Sequence, residues 1–300
     1  MVRPFLCLMS AALMALVLPE GARAAGPGGS QPRAWVSALG SDAANCGTIA
    51  APCRSFQYVH DSVVAPGGTI YVKDSANYGQ LVITHGLSII SDAASTTTIF
   101  APSGDAIAIN AGVGDYVFIK GLVIDGVGAG ANGVRLISGG GLGIADCVIR
   151  GFALGNFSGN AILIEPASIN ATFTVSDTIL TGNGYAGIRI APGLQAPTAT
   201  ASVNGTLNRV EASKNAWGVS VEGNVTSGGV RVLAIHVNAS ENGTGFYASQ
   251  ASLNLSRAVV TGNTSYGVWS FNTIYTYGDN AINGNAVDVN GAALIASPFK

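Results

Sequence analysis

The feature that most constrains this 300-residue chain is a short pattern that recurs along its length. In each copy a small residue precedes an apolar residue, a variable residue and, except in GVWS at 267–270, a second apolar residue, as in GIRI at 187–190. The small residue falls at Ala106, Gly133, Ala161, Gly187, Gly218, Gly245, Gly267 and Ala286. The copies lie 19 to 31 residues apart, which is typical of a solenoid whose repeats are buried only by their neighbours.

A second pattern lies upstream of these triplets and ends in asparagine, as in SDTILTGN at 176–183. The terminal asparagine recurs at Asn183, Asn215, Asn242, Asn263 and Asn285. Asparagine tolerates turn conformations, and its amide is able to bond to the next layer of a stack. The pattern therefore predicts a ladder of stacked asparagine side chains.

Side chains alternate across a strand, so the first and third residues of each triplet are expected to point inward. The predicted inward residues are Val134, Ile162, Ile188, Val219, Phe246, Val268 and Val287. We therefore predict an all-β fold, a right-handed parallel β-helix of about nine coils spaced about 4.8 Å apart. A β-propeller is the rival fold, but its blades need antiparallel hairpins and a repeat of about 40 residues.

Helical spacing of apolar residues occurs in RSFQYVHDSVVAPGG. The spacing predicts one short helix from Arg54 to Ala65, which Pro66-Gly67-Gly68 should stop. A helix here would cover the open apolar end of the first coil. It would therefore act as an N-terminal cap.

The N-terminus has the composition of a secretory signal peptide. Arg3 is followed by the apolar run FLCLMSAALMALVL and by a small-x-small site at 22–24, which predicts a signal peptide over residues 1–24. Residues 25–33, AGPGGSQPR, are expected to be a linker, and residues 34–300 a single β-helix domain. No later stretch is long and apolar enough to span a membrane. The expected location is therefore secreted or periplasmic, in a bacterial setting.

Cysteine usage agrees with export. Cys46 and Cys53 bracket the short loop CGTIAAPC, and outside the cytoplasm this spacing predicts a local disulfide that holds the helix in place. The CxxC spacing of zinc sites is absent, so no metal is predicted. Cys147 is left without a partner and is expected to be buried and inert.

The segment APCRSFQYVHDSVVAPGGTIYVKDSANYGQLVIT resembles the entry segment of right-handed parallel β-helix proteins of the pectin-lyase-like superfamily. The later TGN…GI coils are similar to the repeats of the same superfamily, and the resemblance covers residues 34 to 290. It implies the fold, and a groove beside one sheet in which a polysaccharide usually lies. It does not imply one activity, because this fold hosts lyases, hydrolases, esterases, epimerases and adhesins.

The signatures of the enzymes with this fold are absent from the sequence. The chain has no adjacent acidic pair, no Gly-His-Gly and no Arg-x-Lys, and its 16 acidic residues are scattered. A glycosidase needs two carboxylates on one face, and a calcium site needs several clustered oxygens. No cofactor is predicted. The net charge of −2, without a basic cluster, argues against a nucleic-acid partner.

When the coils are aligned on the asparagine pattern, one position holds a charged or titratable residue in successive coils, and these residues form a charged column. Its members are Asp146, Asp177, Arg209, His236, Arg257 and Asp279. The first interpretation is a ladder of opposite charges on a solvated turn, each pair contributing less than about 1 kcal/mol. The alternative is a proton-transfer or metal site around Asp177, Arg209 and His236, with Arg257 as a further catalytic candidate.

The outward residues of the triplets form another column. In chain order they are Ala108, Arg135, Leu163, Arg189, Ser220, Tyr247, Trp269 and Asp288. Flat aromatic faces suit sugar rings, and arginine binds a uronate carboxylate in a bidentate manner. Arg135, Arg189, Tyr247 and Trp269 are therefore the candidate ligand-binding residues. The alternative is an ordinary sheet face whose apolar members are covered by loops.

Three functions follow in order of preference. The first is an exported, non-catalytic β-helix that binds a polysaccharide or cell-surface glycan. The second is a polysaccharide lyase or related carbohydrate-active enzyme, with His236 as base and Arg209 or Arg257 as its partner. The third is a structural or adhesive surface rod. The sequence carries no signal for an oligomeric state.

Overall fold

A computed structural model describes residues 28–92, 96–153, 155, 158–194, 196, 198–223, 229–271 and 274–297. The predicted signal peptide (1–24) and residues 25–27 of the predicted linker lie outside the described residues. Within the described part of the chain, no helix has the length and apolarity needed to cross a membrane.

The described residues form twenty-six strands and one helix. In chain order they are β1 (Gln31–Val36), α1 (Phe56–Ser62), β2 (Val64–Val72), β3 (Leu81–Ile83), β4 (Leu87–Ile90), β5 (Thr97–Phe100), β6 (Asp105–Asn110), β7 (Tyr116–Lys120), β8 (Leu122–Asp125), β9 (Asn132–Ser138), β10 (Gly141–Ala145), β11 (Val148–Arg150), β12 (Asn160–Ile164), β13 (Ala171–Thr181), β14 (Ala186–Ile190), β15 (Val203–Ser213), β16 (Trp217–Glu222), β17 (Val230–Ile235), β18 (Asn238–Ser240), β19 (Thr244–Ser249), β20 (Ser252–Ser256), β21 (Val259–Thr261), β22 (Tyr266–Ser270), β23 (Ile274–Thr276), β24 (Ala281–Ile282), β25 (Val287–Gly291) and β26 (Ile295–Ala296).

The strands stack in parallel into three faces. Face A contains β1, β2, β4, β7, β10, β13, β15, β17, β20, β23 and β26. Face B contains β5, β8, β11, β18, β21, β24 and the second halves of β13 and β15. Face C contains β3, β6, β9, β12, β14, β16, β19, β22 and β25. The predicted right-handed parallel β-helix is confirmed, and the nine strands of face C agree with about nine coils.

The interior is filled by the inward residues of the triplets. Val134, Ile162, Ile188, Val219, Phe246 and Val268 are all completely buried, as predicted. Each such side chain contributes about 1.5–3 kcal/mol when it is removed from water. The prediction for Val287 was wrong, because this side chain is 43% exposed and the partner of Val268 is Val289.

The predicted asparagine ladder is confirmed. In each step the side-chain Oδ1 of one asparagine accepts the backbone N–H of the asparagine one coil earlier, at 2.9–3.1 Å from Asn183 to Asn285. Asp288 ends the ladder, since its Oδ1 accepts both the backbone N–H and the Nδ2 of Asn285. Asp288 was predicted to point outward beside Trp269, but Asn290 holds that place because the turn after Asn285 is shorter.

The single described helix lies at the N-terminal end of the rod, against β1, β2 and β3. The Ser55 side chain caps it by accepting the N–H of Tyr58, and Phe56 and Val59 are fully buried. The helix is shorter than the predicted Arg54 to Ala65, because the chain enters strand β2 at Val64. Pro66-Gly67-Gly68 therefore lies within a strand and does not stop the helix.

The entry segment is fixed by a disulfide and one carboxylate. Cys46 and Cys53 are disulfide-bonded, as predicted. The Asp42 carboxylate accepts the backbone N–H groups of Arg54 and Ser55, which ties the disulfide loop to the start of α1. Asp42 and the two cysteines are the only metal-like cluster among the described residues, and both sulfurs are already bonded. β1 begins at Gln31, so residues 31–33 of the predicted linker are strand.

Candidate functional site

The predicted charged column lies at the corner between faces A and B. Strand register aligns Asp146, Asp177, Arg209, His236 and Arg257 in consecutive coils. All five have a left-handed backbone with φ between 49° and 55°, a conformation that non-glycine residues seldom adopt. The corner geometry explains why these residues align, because the chain must turn sharply at the same point of each coil.

The side chains of this corner form ion pairs along the rod. Arg209 donates to both carboxylate oxygens of Asp177, at 2.5 and 2.8 Å. These bonds lower the pKa of Asp177 and raise the pKa of Arg209. Arg257 lies 3.4 Å from His236 Nε2, and its backbone N–H donates to Asp279. These side chains therefore form a series of solvent-exposed charged groups along the corner.

The predicted outward column lies on face C. Register places Ala108, Arg135, Leu163, Arg189, Ser220, Tyr247 and Trp269 side by side in successive strands. The order of the column is as predicted up to Trp269. Its accessibility differs from the expectation of an exposed face, because Leu163, Arg189 and Ser220 are buried.

The two arginines of this column are paired with carboxylates of the same chain. Arg135 Nε donates to Glu165 at 2.6 Å, and Arg135 Nη1 lies 3.3 Å from Asp105. Arg189 donates from Nε and Nη2 to the two oxygens of Glu222, both at 2.8 Å. Burial alone would lower the pKa of Arg189, but Glu222 outweighs it and raises the pKa. Both guanidinium groups are therefore engaged internally.

Tyr185 and Glu165 lie beside the two arginines of this column. The Tyr185 ring lies 4.7 Å from the Arg189 guanidinium carbon, a cation–π contact. Burial raises the pKa of the Tyr185 hydroxyl. Glu165 is only 6% exposed, and its Oε2 has no hydrogen-bond partner among the described residues. This oxygen is itself buried, so leaving it without a donor has an energetic cost.

Next to the ion pairs of Arg135 and Arg189, a continuous cluster of aromatic side chains extends along face C. Trp217 stacks on Trp269 with ring centroids 5.7 Å apart, and Tyr247 meets both rings edge-on at 4.9 and 5.4 Å. Tyr266 and Phe271 lie 5.0 and 5.4 Å from Trp269. We use the name aromatic cluster for these five residues and Tyr185, which lies 6.5 Å from Trp217.

The rings of the aromatic cluster remain accessible. Phe271 is 63% exposed, and the other five rings are half-buried. Sequence reasoning identified Tyr247 and Trp269 but missed the other four. The signal for two of these is an aromatic residue directly before the small residue of the triplet, as in WGV at 217–219 and YGV at 266–268.

No protein-family model matches this chain, and no curated protein matches its sequence. Two solved structures are similar in fold. The A-module of the mannuronan C-5 epimerase AlgE4 from Azotobacter vinelandii has a TM-score of 0.54 at 14% identity, covering 74% of this chain and 64% of that chain. The pectate lyase Pel9A has a TM-score of 0.54 at 13% identity, covering 89% and 79%. At this identity the likeness shows the fold alone, a parallel β-helix.

Proposed function

We propose that this chain, a right-handed parallel β-helix of the pectin-lyase-like type, binds a glycan on face C through its aromatic cluster. The observation that carries the proposal is the continuity of the cluster. Trp217, Tyr247 and Trp269 come from three consecutive coils, are in contact with one another, and stay half-buried. Exposed aromatic surface of this extent is unusual, and flat ring faces pack well on the C–H faces of sugars.

The charges of face C favour a hydroxyl-rich, uncharged sugar. Asp105, Glu165 and Glu222 outnumber Arg135 and Arg189, with which they pair. A uronate carboxylate would have to displace one of these internal partners, at a cost in buried charge. This revises the expectation that both arginines bind a uronate.

A polysaccharide is the class of partner that the fold supports. Two solved structures with this fold carry the names mannuronan epimerase and pectate lyase, which is compatible with a polysaccharide partner. The proposed location is outside the cytoplasm, which agrees with the predicted signal peptide (1–24) and with a disulfide between Cys46 and Cys53.

The proposal is binding without turnover. The candidate catalytic residues Asp177, Arg209, His236 and Arg257 lie at the corner between faces A and B, which face C does not adjoin. Arg209 is held by Asp177, and its side chain is 57% exposed, so this corner lacks the water-excluding pocket in which acid–base catalysis works best. A polysaccharide lyase is the alternative. Absorbance from an unsaturated product on a panel of uronate polymers would support the alternative and contradict the proposal.

The test is binding to a glycan array followed by calorimetric titration with the best neutral oligosaccharide. Trp217→Ala and Trp269→Ala should each weaken binding at least about tenfold, or about 1.4 kcal/mol. Trp35→Ala is the matched control, because Trp35 stacks on Tyr71 at the other end of the rod and lies outside the aromatic cluster. Circular dichroism should show all three variants folded.

Two results would contradict the proposal. One is a wild-type protein that binds no glycan on a broad array. The other is binding that Trp217→Ala and Trp269→Ala leave unchanged while the variants remain folded.

A further inference from the structure

The C-terminal end of the rod differs from the rest of the core, because its inward side chains are exposed. Val289 stacks on Val268 at the inward position of face C. Val268 is completely buried, whereas Val289 is 39% exposed. Ile282 is half-buried, although its stacking partner Val260 in the preceding coil is completely buried. The last described coil therefore presents an apolar surface at the end of the rod.

The strands of this last coil also present free backbone edges. β24, β25 and β26 each pair with a strand of the preceding coil, and no described strand pairs with their other edge. Such an edge is a row of N–H and C=O groups that is able to pair with another chain. Because the row contains both donors and acceptors, it is complementary to a second copy of itself.

The C-terminal end has few charges that would oppose association. Residues 281–297 contain one charged side chain, Asp288, and its carboxylate accepts two hydrogen bonds from Asn285. Proteins usually protect an exposed strand edge with lysine, with proline or with a covering element. A surface that is apolar and depleted of charged residues is typical of the centre of a protein–protein interface.

The N-terminal end of the rod, in contrast, is closed by α1. The Gln57 side chain lies against the edge of β3, where its Oε1 accepts the N–H of Val82 at 2.8 Å and its Nε2 donates to the Val82 carbonyl at 3.3 Å. His60 Nε2 accepts the N–H of Thr84 at 3.1 Å. The helix therefore occupies the edge on which another copy would have to stack.

We propose that two copies of this chain associate through their C-terminal ends to form a symmetric dimer. A head-to-tail contact needs an open N-terminal end, which α1 closes. A contact between two identical ends is isologous, so assembly stops at two copies. In this dimer Ile282, Val289 and Leu294 of each copy are covered by the other, and the end strands of the two copies run antiparallel across the two-fold axis.

The end face is large enough for a specific contact. The last full repeat, from Asn263 to Asn285, spans 22 residues. At the packing density of protein interiors and a coil spacing of about 4.8 Å, a coil of this length has a cross-section of about 500 Å². Two end faces in contact would bury about 1,000 Å² in total, which is the lower limit for a specific interface. The dimer should therefore dissociate on dilution.

Sedimentation velocity over a series of protein concentrations tests the inference. The wild type should change from monomer to dimer as the concentration rises, with no larger species. Val289→Lys places a charge in the end face, and it should raise the Kd of the dimer at least about tenfold, because association would bury an unpaired ammonium group. Val82→Lys is the matched control, since Val82 is 46% exposed in a strand at the opposite end. It should leave the Kd unchanged.

Two further variants keep the test decisive. Ile295→Lys, at an end-strand residue that is 47% exposed, should also weaken the dimer and covers the case in which Val289→Lys fails to fold by circular dichroism. Trp269→Ala should leave the dimer intact, because the inference does not rest on glycan binding by face C.

Several results would overturn the inference. One is a wild type that remains monomeric up to about 1 mM, where even a weak contact of about 4 kcal/mol would be detected. Others are species larger than a dimer, a dimer that folded Val289→Lys and Ile295→Lys leave unchanged, and a dimer that Val82→Lys weakens equally.

Discussion

Arg189 of β14 and Glu222 of β16 are joined by two parallel hydrogen bonds of 2.8 Å between adjacent coils of face C. The pair is largely removed from water, with side chains 9% and 22% exposed. Ser220 also donates to Glu222, at 2.7 Å. A partly buried bidentate pair of this kind is stable only while both members are present.

Removing one residue of the Arg189–Glu222 pair should therefore destabilise the protein. Glu222→Ala leaves the Arg189 guanidinium buried without its carboxylate, and we expect the free energy of unfolding to fall by about 3 kcal/mol. Urea titration followed by far-ultraviolet circular dichroism would measure this change. Lys120→Ala is the control, because Lys120 and Asp146 are exposed and 3.6 Å apart, and its loss should cost less than about 1 kcal/mol. Equal effects of the two substitutions would contradict the interpretation.

A substitution at the centre of the asparagine ladder should destabilise the protein more than a substitution at its end. Asn215 accepts the backbone N–H of Asn183 and donates to the carbonyl of Leu180, all in buried surroundings. Asn215→Ala leaves buried groups without partners, and we expect a loss of about 2–4 kcal/mol of unfolding free energy. Asn285→Ala, at the partly exposed end of the ladder, should cost less. Thermal unfolding of the two variants in parallel tests this order, and the reverse order would disprove it.

At the corner between faces A and B, the effect of a substitution on stability should depend on the backbone conformation that the new residue prefers more than on its charge. His236 has φ of +53°, which asparagine and glycine accept and β-branched residues resist. His236→Asn should keep the melting temperature within about 2 °C of the wild type, whereas His236→Val should destabilise by about 1–2 kcal/mol. If His236 were catalytic, His236→Asn would instead abolish activity.

The free energy of unfolding should depend on pH because of His60 in the N-terminal helix. His60 is completely buried, and burial lowers its pKa below 6.5, aided by the neighbouring charge of His85, while Asp61 opposes the shift. As the pH falls below about 6.5, the unfolded chain takes up a proton that folded His60 resists. The free energy of unfolding should therefore decrease with falling pH in this window.

His60→Gln should flatten this slope. Glutamine keeps an acceptor for the Thr84 N–H, which His60 Nε2 accepts at 3.1 Å, but it does not titrate. The measurement is urea unfolding at intervals between pH 7.5 and 5, above the range in which most carboxylates titrate. His236→Asn is the matched control, because this histidine is exposed. A slope that persists in His60→Gln would assign the effect to other groups.

Local pattern was sufficient to predict the fold. Each triplet contains its own inward residue, so Ile162, Ile188 and Val219 could be placed without any knowledge of the loops. The ladder was predictable for the same reason, since Asn215 and Asn242 stand at equal positions of their repeats. The last coil was misaligned because one residue fewer separates Asn285 from face C, and repeat counting does not register such a change.

The candidate site was harder to predict because it depends on contacts between different coils. Arg135 and Arg189 were recognised as members of one column. Their partners Glu165 and Glu222, however, lie at the ends of strands whose lengths vary between coils. Pairing between coils therefore decides which arginines are available to a ligand.

The distribution of tryptophan has a spectroscopic consequence. The chain contains three tryptophans, and two of them, Trp217 and Trp269, stack on each other in the aromatic cluster. The third, Trp35, stacks on Tyr71 in the first coils. Emission excited at the tryptophan band thus originates mostly from face C. In a Trp35→Phe background it would originate from face C alone, so the protein contains its own optical reporter of what touches that surface.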